Sequence, residues 1–376
     1  MSLAFTLLRR LCAEAVTAGV VPGSVVLVSS EGKTVFHEAF GRREIEPDVL
    51  TATPDTLYDV ASVTKAVITS VLAMKAVARG SLRLEDPVAR HLPDFVGDGK
   101  SAVTIRHLLA HAAGLPAHRM FYATVGEGPA RRLGIMRAAA REPLAGPPGA
   151  RSTYTDLGFI LLGWCLETVG GARLDELAER EIFRPLQLAS SLFVDVGTGR
   201  AAGGLGRRRA QDLGPVAATE RCTVRGRVLI GEVHDLNAFA MDGVAGHAGL
   251  FSTAGDLAVI AEALVGEWRG GAGRWSSAGF VERDVVREFW RPAGIPGSSW
   301  RLGWDGPADR SSQAGDLLSR AAVGHLGFTG CSLWIDPERA LAIVLLTNRV
   351  HPTVRDDPRF RAFRPAVHDA VVEALR

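Results

Sequence analysis

Tyr58-Asp59-Val60-Ala61-Ser62-Val63-Thr64-Lys65 is the stretch on which the reading of this chain turns. An apolar run over 66–78 follows it and stops at Gly80, so Ser62 is expected to open a helix over 62–78. A spacing of three on a helix brings Lys65 onto the same face, one turn beyond Ser62. A serine hydroxyl is a poor nucleophile until a nearby base takes its proton. A lysine, with a free pKa of about 10.4, serves as that base only if burial or a neighbouring charge lowers it. The helix N-terminus adds partial positive charge, which favours a developing oxyanion. A helix cap beside a solvated lysine explains the same pair without chemistry. A second Ser-x-x-Lys, Ser30 and Lys33, flanks a turn where nothing holds the side chains together. Lysine is scarce (Lys33, Lys65, Lys75 and Lys100 only), so Lys65 is not easily dismissed as surface decoration.

Working outward, Pro22-Gly23 breaks an N-terminal helix whose Phe5, Leu8, Cys12, Ala15 and Val16 share one face. Two β-rich runs follow, 25–29 and 34–40, joined at Glu31-Gly32 as a tight hairpin. A second hairpin, 332–335 with 341–346, turns at Asp336-Pro337, and 360–376 reads as a closing helix. The middle is mainly helical: 62–78, 104–111 and 157–169 each end at a Gly or Gly/Pro break. Thr253 with Asp256 reads as a capping box, and 197–218 as a long mobile loop. The expected fold class is α/β of the α+β type, an antiparallel sheet built from both chain ends and flanked by helices. That lobe spans about 1–60 and 275–376; a mainly helical lobe, about 61–274, is inserted, with a cleft between them.

At 376 residues the chain is long enough to bury such a core. A net charge of +2, with dispersed basic residues, speaks against a nucleic-acid partner. The run Arg207-Arg208-Arg209 in a Gly-rich stretch reads as solvated loop rather than phosphate patch. No apolar run reaches the length of a membrane span, and Arg9, Arg10 and Glu14 interrupt the N-terminus as a signal peptide. Cys12, Cys165, Cys222 and Cys331 lie far apart and read as buried free thiols. A cytoplasmic protein acting on a small molecule or short peptide is expected, without cofactor or metal.

Two further motifs stand with the first. Tyr154-Thr155-Asp156 follows Pro147-Pro148-Gly149 and opens an apolar helix; a tyrosine there is commonly a packing residue. Gly324-His325-Leu326-Gly327-Phe328-Thr329-Gly330 leads into a strand, and its glycines allow close backbone approach or a bulge. In that order the three resemble the motif pattern of the serine β-lactamase and penicillin-binding-protein superfamily. The similar branch holds class C β-lactamases, serine carboxypeptidases and related esterases. The stretches 108–116, 251–257 and Leu346-Thr347-Asn348-Arg349 carry the same resemblance. It implies that Ser62 is acylated, that Lys65 and Tyr154 share the proton, and that the backbone N–H groups of Ser62 and Phe328 form the oxyanion hole. It also implies that Asp156, His325 and Gly327 line the substrate side.

Three positions depart from the pattern. Asp156 replaces its usual Asn and, ionised, only accepts hydrogen bonds. His325 replaces Lys and Leu326 replaces Thr, which removes a permanent cation and a hydroxyl donor. These changes argue against an efficient antibiotic hydrolase. A further segment, Gly231-Glu232-Val233-His234-Asp235-Leu236-Asn237-Ala238 with Gly243-Val244-Ala245-Gly246-His247, is dense in polar groups among glycines and reads as a site-lining loop. It resembles a sub-branch of carboxypeptidases and amidases that cut muramyl-peptides in cell-wall recycling. His234, Asp235, Asn237 and His247 are therefore expected at the substrate. A metal site of His234, Asp235 and His247 lacks any HExxH-like spacing. The expected activity is serine hydrolysis of an amide or ester of a small wall-derived molecule. Alternatives are a carboxylesterase, a weak β-lactamase or D-Ala-D-Ala carboxypeptidase, and a non-catalytic binding or scaffold member.

Overall fold

The computed structural model describes residues 3–197, 200–203, 208–209, 213–271 and 279–376. The two chain ends meet in one sheet. Strand Gly23–Ser30 pairs antiparallel with Leu341–Thr347 on one side, in the register Ser24 to Thr347, and with Lys33–Glu44 on the other. Ser332–Asp336 and Val323–Leu326 extend the sheet beyond Leu341–Thr347, and Leu50–Thr51 closes the opposite edge. Glu31 and Gly32 both take positive φ, the geometry that a two-residue turn needs to match strand twist.

Period-two alternation sends the central strands' side chains to two separate cores. Val26, Val28, Ile343 and Leu345 pack under the N-terminal helix Thr6–Thr17 and the C-terminal helix Pro358–Ala374. Val25, Leu27, Val344 and Leu346 face Leu257, Ile260 and Ala261 of helix Ala254–Arg269. That helix therefore sits on the main sheet, although its residues fall within the stretch expected as the helical lobe. Its core runs without a break into the helices beyond, so the boundary expected near 274 does not mark a separate core.

The inserted part centres on helix Asp156–Gly170, packed against Ile105–Leu109, Arg131–Arg141 and Val71–Ala78. A smaller antiparallel sheet accompanies these helices, ordered Tyr58–Asp59, Leu250–Ser252, Leu192–Asp195, Arg200–Gly203, Arg208–Arg209. The expected loop over 197–218 thus contains two strands, and Val216, Ala217 and Ala218 are buried. Arg207 lies outside the described residues, as do the side chains of Arg208 and Arg209. All four cysteines are buried and unpaired. Among the described residues no single helix is long and apolar enough to cross a membrane.

Thr253 accepts the Asp256 N–H as a helix cap, but the reciprocal half of the capping box is missing. The Asp256 carboxylate instead accepts from the Ser190 N–H and the Ser191 hydroxyl, tying the helix start to the small sheet. Thr253→Ala is expected to cost about 1 kcal/mol. Urea denaturation checks this through a lower midpoint at unchanged slope.

Candidate active site

The site begins at a strained turn. Ala61, just before Ser62, has φ +48°, a left-handed conformation that a non-glycine residue adopts only when its surroundings impose it. The buried Asp59 imposes it here. One of its carboxylate oxygens accepts the Ala61 N–H at 2.8 Å, the other accepts the His234 N–H at 2.7 Å, and its carbonyl accepts the Thr329 hydroxyl at 2.8 Å. Burial pushes the Asp59 carboxyl pKa up, while these backbone donors oppose the rise. After Ser62 the chain does not enter the regular α-helix expected from its sequence. Val63, Thr64 and Lys65 donate three residues back, and Lys65–Ser70 then widens into a π-helix before Val71–Ala78 becomes α-helical. Such widened turns are rare and concentrate at functional sites.

Lys65 lies directly beneath Ser62 and is wholly buried. Its ammonium donates to Ser62 Oγ at 2.9 Å, Asp156 Oδ1 at 2.8 Å and the His247 carbonyl at 3.0 Å. An ammonium has three N–H groups, so all are used. Burial alone would lower the Lys65 pKa, but the charges and hydrogen bonds of Asp156 and Tyr154 together outweigh it and the net shift is upward. This corrects the expectation of a lysine tuned down toward a neutral base. Asp156 sits in the first turn of its helix, where the dipole favours a carboxylate. Burial would raise its pKa, yet Lys65 and His118, the latter with Nδ1 3.1 Å from Oδ2, hold it far below the usual range. The same contact raises His118.

Tyr154 is placed by its neighbours. The Thr153 N–H donates to the carbonyl of the buried His111, and the Thr155 N–H donates to His111 Nδ1. The tyrosine between them leans on the imidazole at 4.7 Å with the rings tilted by 43° and stacks on Trp300 at 5.5 Å. Its ring centre lies 4.9 Å from Lys65 Nζ. The residue keeps an exposed edge toward the cleft, but loss of water around the phenol raises its pKa and the Lys65 charge pulls it down, with a net rise.

The third motif completes the cleft. A Cβ on Gly327 would stand 2.5 Å from the Val60 carbonyl, so only glycine lets this strand approach the Ser62 turn so closely. Among the described residues neither the Ser62 N–H nor the Phe328 N–H has a hydrogen-bond partner, and both residues line the cleft. His325 Nδ1 donates to the Leu326 carbonyl at 2.8 Å, which leaves Nε2 as an acceptor with no partner. Burial, reinforced by Lys65, pushes the His325 pKa down to about 3, so the ring is neutral.

The loop after Gly231 divides. His234 and Asp235 line the cleft. Asn237 does not: its amide oxygen accepts the Tyr122 N–H and its nitrogen donates to the Arg119 carbonyl, so it braces a neighbouring loop. The His247 side chain is also buried, with Nε2 2.8 Å from Asp235 Oδ1, and only its backbone carbonyl reaches Lys65. Burial would raise the Asp235 pKa, but His247 keeps it low. Asn237 and His247 therefore stand behind the cleft and not on the substrate side expected for them.

A family profile described as Beta-lactamase matches residues 8–366. The chain belongs to the beta-lactamase family. It is 31% identical over 353 residues to a putative D-alanyl-D-alanine carboxypeptidase of Escherichia coli K12, covering 89% of this chain and 80% of that one. It is 31% identical over 364 residues to an N-acetylmuramyl-L-alanine amidase of Bacillus subtilis 168, covering 89% and 79%. In fold it is similar to EstCE1, a hydrolase with promiscuous acyltransferase activity, with a TM-score of 0.75 at 23% identity over 99% of this chain and 100% of that one. The protein is a beta-lactamase-family serine hydrolase.

The cleft of this hydrolase has a volume of about 740 Å³. Several lining residues had no signal in the sequence: His118, Trp300, Glu220, Asp305 and Arg364 belong to no motif and converge only in space. Arg349, which ends the family-like stretch Leu346-Thr347-Asn348-Arg349, also lines the cleft. Gly327→Ala is expected to lower kcat/KM for an aryl ester by 100-fold or more by forcing the third-motif strand off the Val60 carbonyl. Steady-state kinetics on variant whose circular dichroism matches wild type checks this.

Proposed function

We propose that this hydrolase forms an acyl-enzyme on Ser62 and cleaves an amide or ester of a small, cell-wall-derived muramyl-peptide. The observation that carries the reading is the Lys65 ammonium bridging Ser62 Oγ and Asp156 at the floor of an open cleft. The two relatives, a putative D-alanyl-D-alanine carboxypeptidase and an N-acetylmuramyl-L-alanine amidase, support the substrate class by their names. A small molecule or short peptide in a cytoplasmic setting belongs to the same proposal.

In this reading the substrate carbonyl oxygen sits between the Ser62 and Phe328 N–H groups, which stabilise it as it gains charge. Ser62 Oγ attacks the carbonyl carbon, and its proton passes to the Lys65–Tyr154 unit and on to the leaving nitrogen or oxygen. Water then attacks the acyl-enzyme, gives one proton to the same unit, and Ser62 recovers it as the acid departs. Lys65 and Tyr154 both start protonated, so the unit must first lose one proton. The two groups share that loss, and it belongs to the pair.

An esterase reading is favoured by one specific feature. Asp156 accepts from Lys65 and faces His118, and therefore offers no hydrogen to a substrate amide carbonyl. A panel of N-acetylmuramyl-L-alanine, a D-alanyl-D-alanine peptide, a cephalosporin and a short-chain aryl ester separates the readings. Wild type is expected to release N-acetylmuramate and to carry the acyl mass on Ser62, with both lost in Ser62→Ala. Ester turnover alone supports an esterase, and no Ser62-dependent product overturns the proposal.

The pH profile follows from the same charges. Because both pKa values are raised, kcat/KM is expected to climb with pH into the alkaline range. Asp156→Asn removes the anion that holds the Lys65 proton, so the unit deprotonates more easily. The limb is expected to move to lower pH by about 1–3 units, read from kcat/KM against pH.

A further inference from the structure

Asp156 is a shared carboxylate. Lys65 Nζ donates to its Oδ1 at 2.8 Å from the buried side, and His118 Nδ1 stands 3.1 Å from its Oδ2 on the cleft side. The two partners differ in their access to water. Lys65 is wholly buried, whereas the His118 side chain is 47% exposed and lines the cleft. An ionised carboxylate only accepts, so His118 Nδ1 carries a hydrogen and Nε2 is the nitrogen that gains or loses a proton. Among the described residues that Nε2 has no hydrogen-bond partner.

The groups around His118 favour its charged form. The hydrogen bond to Asp156 raises its pKa most and partial burial lowers it; the Asp156 and Asp235 charges add to the rise, and Lys65 opposes it. The adjacent Arg119 is engaged elsewhere, with Nε on Glu142 at 2.6 Å and a terminal nitrogen on the His118 carbonyl at 3.1 Å. Sharing one carboxylate makes the protons of His118 and Lys65 compete. A charged His118 takes up part of the Asp156 charge and loosens the hold on the Lys65 proton, and a neutral Lys65 leaves Asp156 free to hold a charged His118. The two arrangements carry the same number of protons. In passing from one to the other, the Lys65–Tyr154 unit releases one proton to water in the cleft and His118 Nε2 takes one from it, while Asp156 stays ionised.

We infer that His118 is a positioning residue that brings the Lys65–Tyr154 unit to its basic form near neutral pH, by replacing Lys65 as the cation paired with Asp156. The inference rests on the acyl-enzyme reading and supplies a destination for the one proton that the unit loses before Ser62 attacks. His118 acts through Asp156 and takes no part in bond making. Because the exchange leaves the proton count unchanged, its extent does not vary with pH between the titrations of His118 and Lys65. The profile of kcat/KM therefore carries a shoulder near neutral pH ahead of its alkaline climb. Without the imidazole only the climb remains.

Hydrolysis of p-nitrophenyl butyrate at pH 7 and at about pH 9.5, below the titration of free lysine, tests it, with Ser62→Ala as background. His118→Gln keeps a hydrogen-bond donor for Asp156 but takes no proton. In that variant the ratio of kcat/KM at the higher pH to that at pH 7 is expected to rise by about tenfold or more, the scale on which an adjacent charge moves a pKa. A ratio within about twofold of wild type overturns the inference, because a packing or substrate-contact role lowers both values together. Melting curves confirm folded protein. A direct titration needs no turnover. With ¹⁵N-histidine labelling, and His118→Gln for assignment, His118 is expected to titrate above the free value of about 6.5. Its proton affinity is expected to fall in Asp156→Asn and to rise in Lys65→Met, each by about tenfold or more. A His118 titration left unmoved by either substitution overturns the exchange. Ester turnover that survives in Ser62→Ala overturns the acyl-enzyme reading instead, and the titrations then judge the shared carboxylate by themselves.

Discussion

A buried ammonium with three acceptors is the constraint around which this site is built. Lys65 has no access to water, so its charge persists only because Ser62, Asp156 and the His247 carbonyl satisfy every N–H. Each acceptor comes from a different part of the chain: the strained turn ahead of the π-helix, the start of helix Asp156–Gly170, and the glycine-rich loop before Leu250–Ser252. Removing one partner of a buried ion pair costs about 3–5 kcal/mol if the other keeps its charge. The pair therefore fixes geometry and protonation together. The aromatic group of Tyr154, His111, Trp300 and His325 closes over it and keeps the surroundings apolar.

Asp59 does for the backbone what Asp156 does for the charge. Its carboxylate and carbonyl tie the Ser62 turn, the His234 loop and the third motif at one point. The unfavourable φ at Ala61 is sustained by that network, with Gly327 allowing the third-motif strand to come up to Val60. The Ser62 turn, the Gly327–Phe328 segment and the His234 loop, contributed by residues far apart in sequence, are thereby held in mutual register.

The sheet was legible because both hairpins carry alternating apolar residues and turn residues with clear backbone preferences, such as Glu31-Gly32. The Ser62, Lys65, Tyr154 and His325 cluster was legible as motifs in order, and these four do converge. The direction of the Lys65 shift was not, because it depends on Asp156, 91 positions away, and on how closely Tyr154 approaches. The widening at Lys65–Ser70 was hidden for a related reason: an apolar helical pattern does not tell a π-turn from an α-turn. Asn237 and His247 misled because polar residues among glycines look alike whether they face a ligand or brace a loop. His118, Trp300 and Arg364 enter the cleft by tertiary packing alone.

The central claim is that Asp156 holds Lys65 as a cation beneath Ser62. With only four lysines in the chain, ¹⁵N-lysine labelling and a Lys65→Arg variant assign the Lys65 Nζ resonance directly. A pH titration is predicted to show Lys65 keeping its proton above the free-lysine value of about 10.4, and losing it at lower pH in Asp156→Asn. A neutral Lys65 at pH 7 in wild type, or a titration unmoved by Asp156→Asn, would contradict the account.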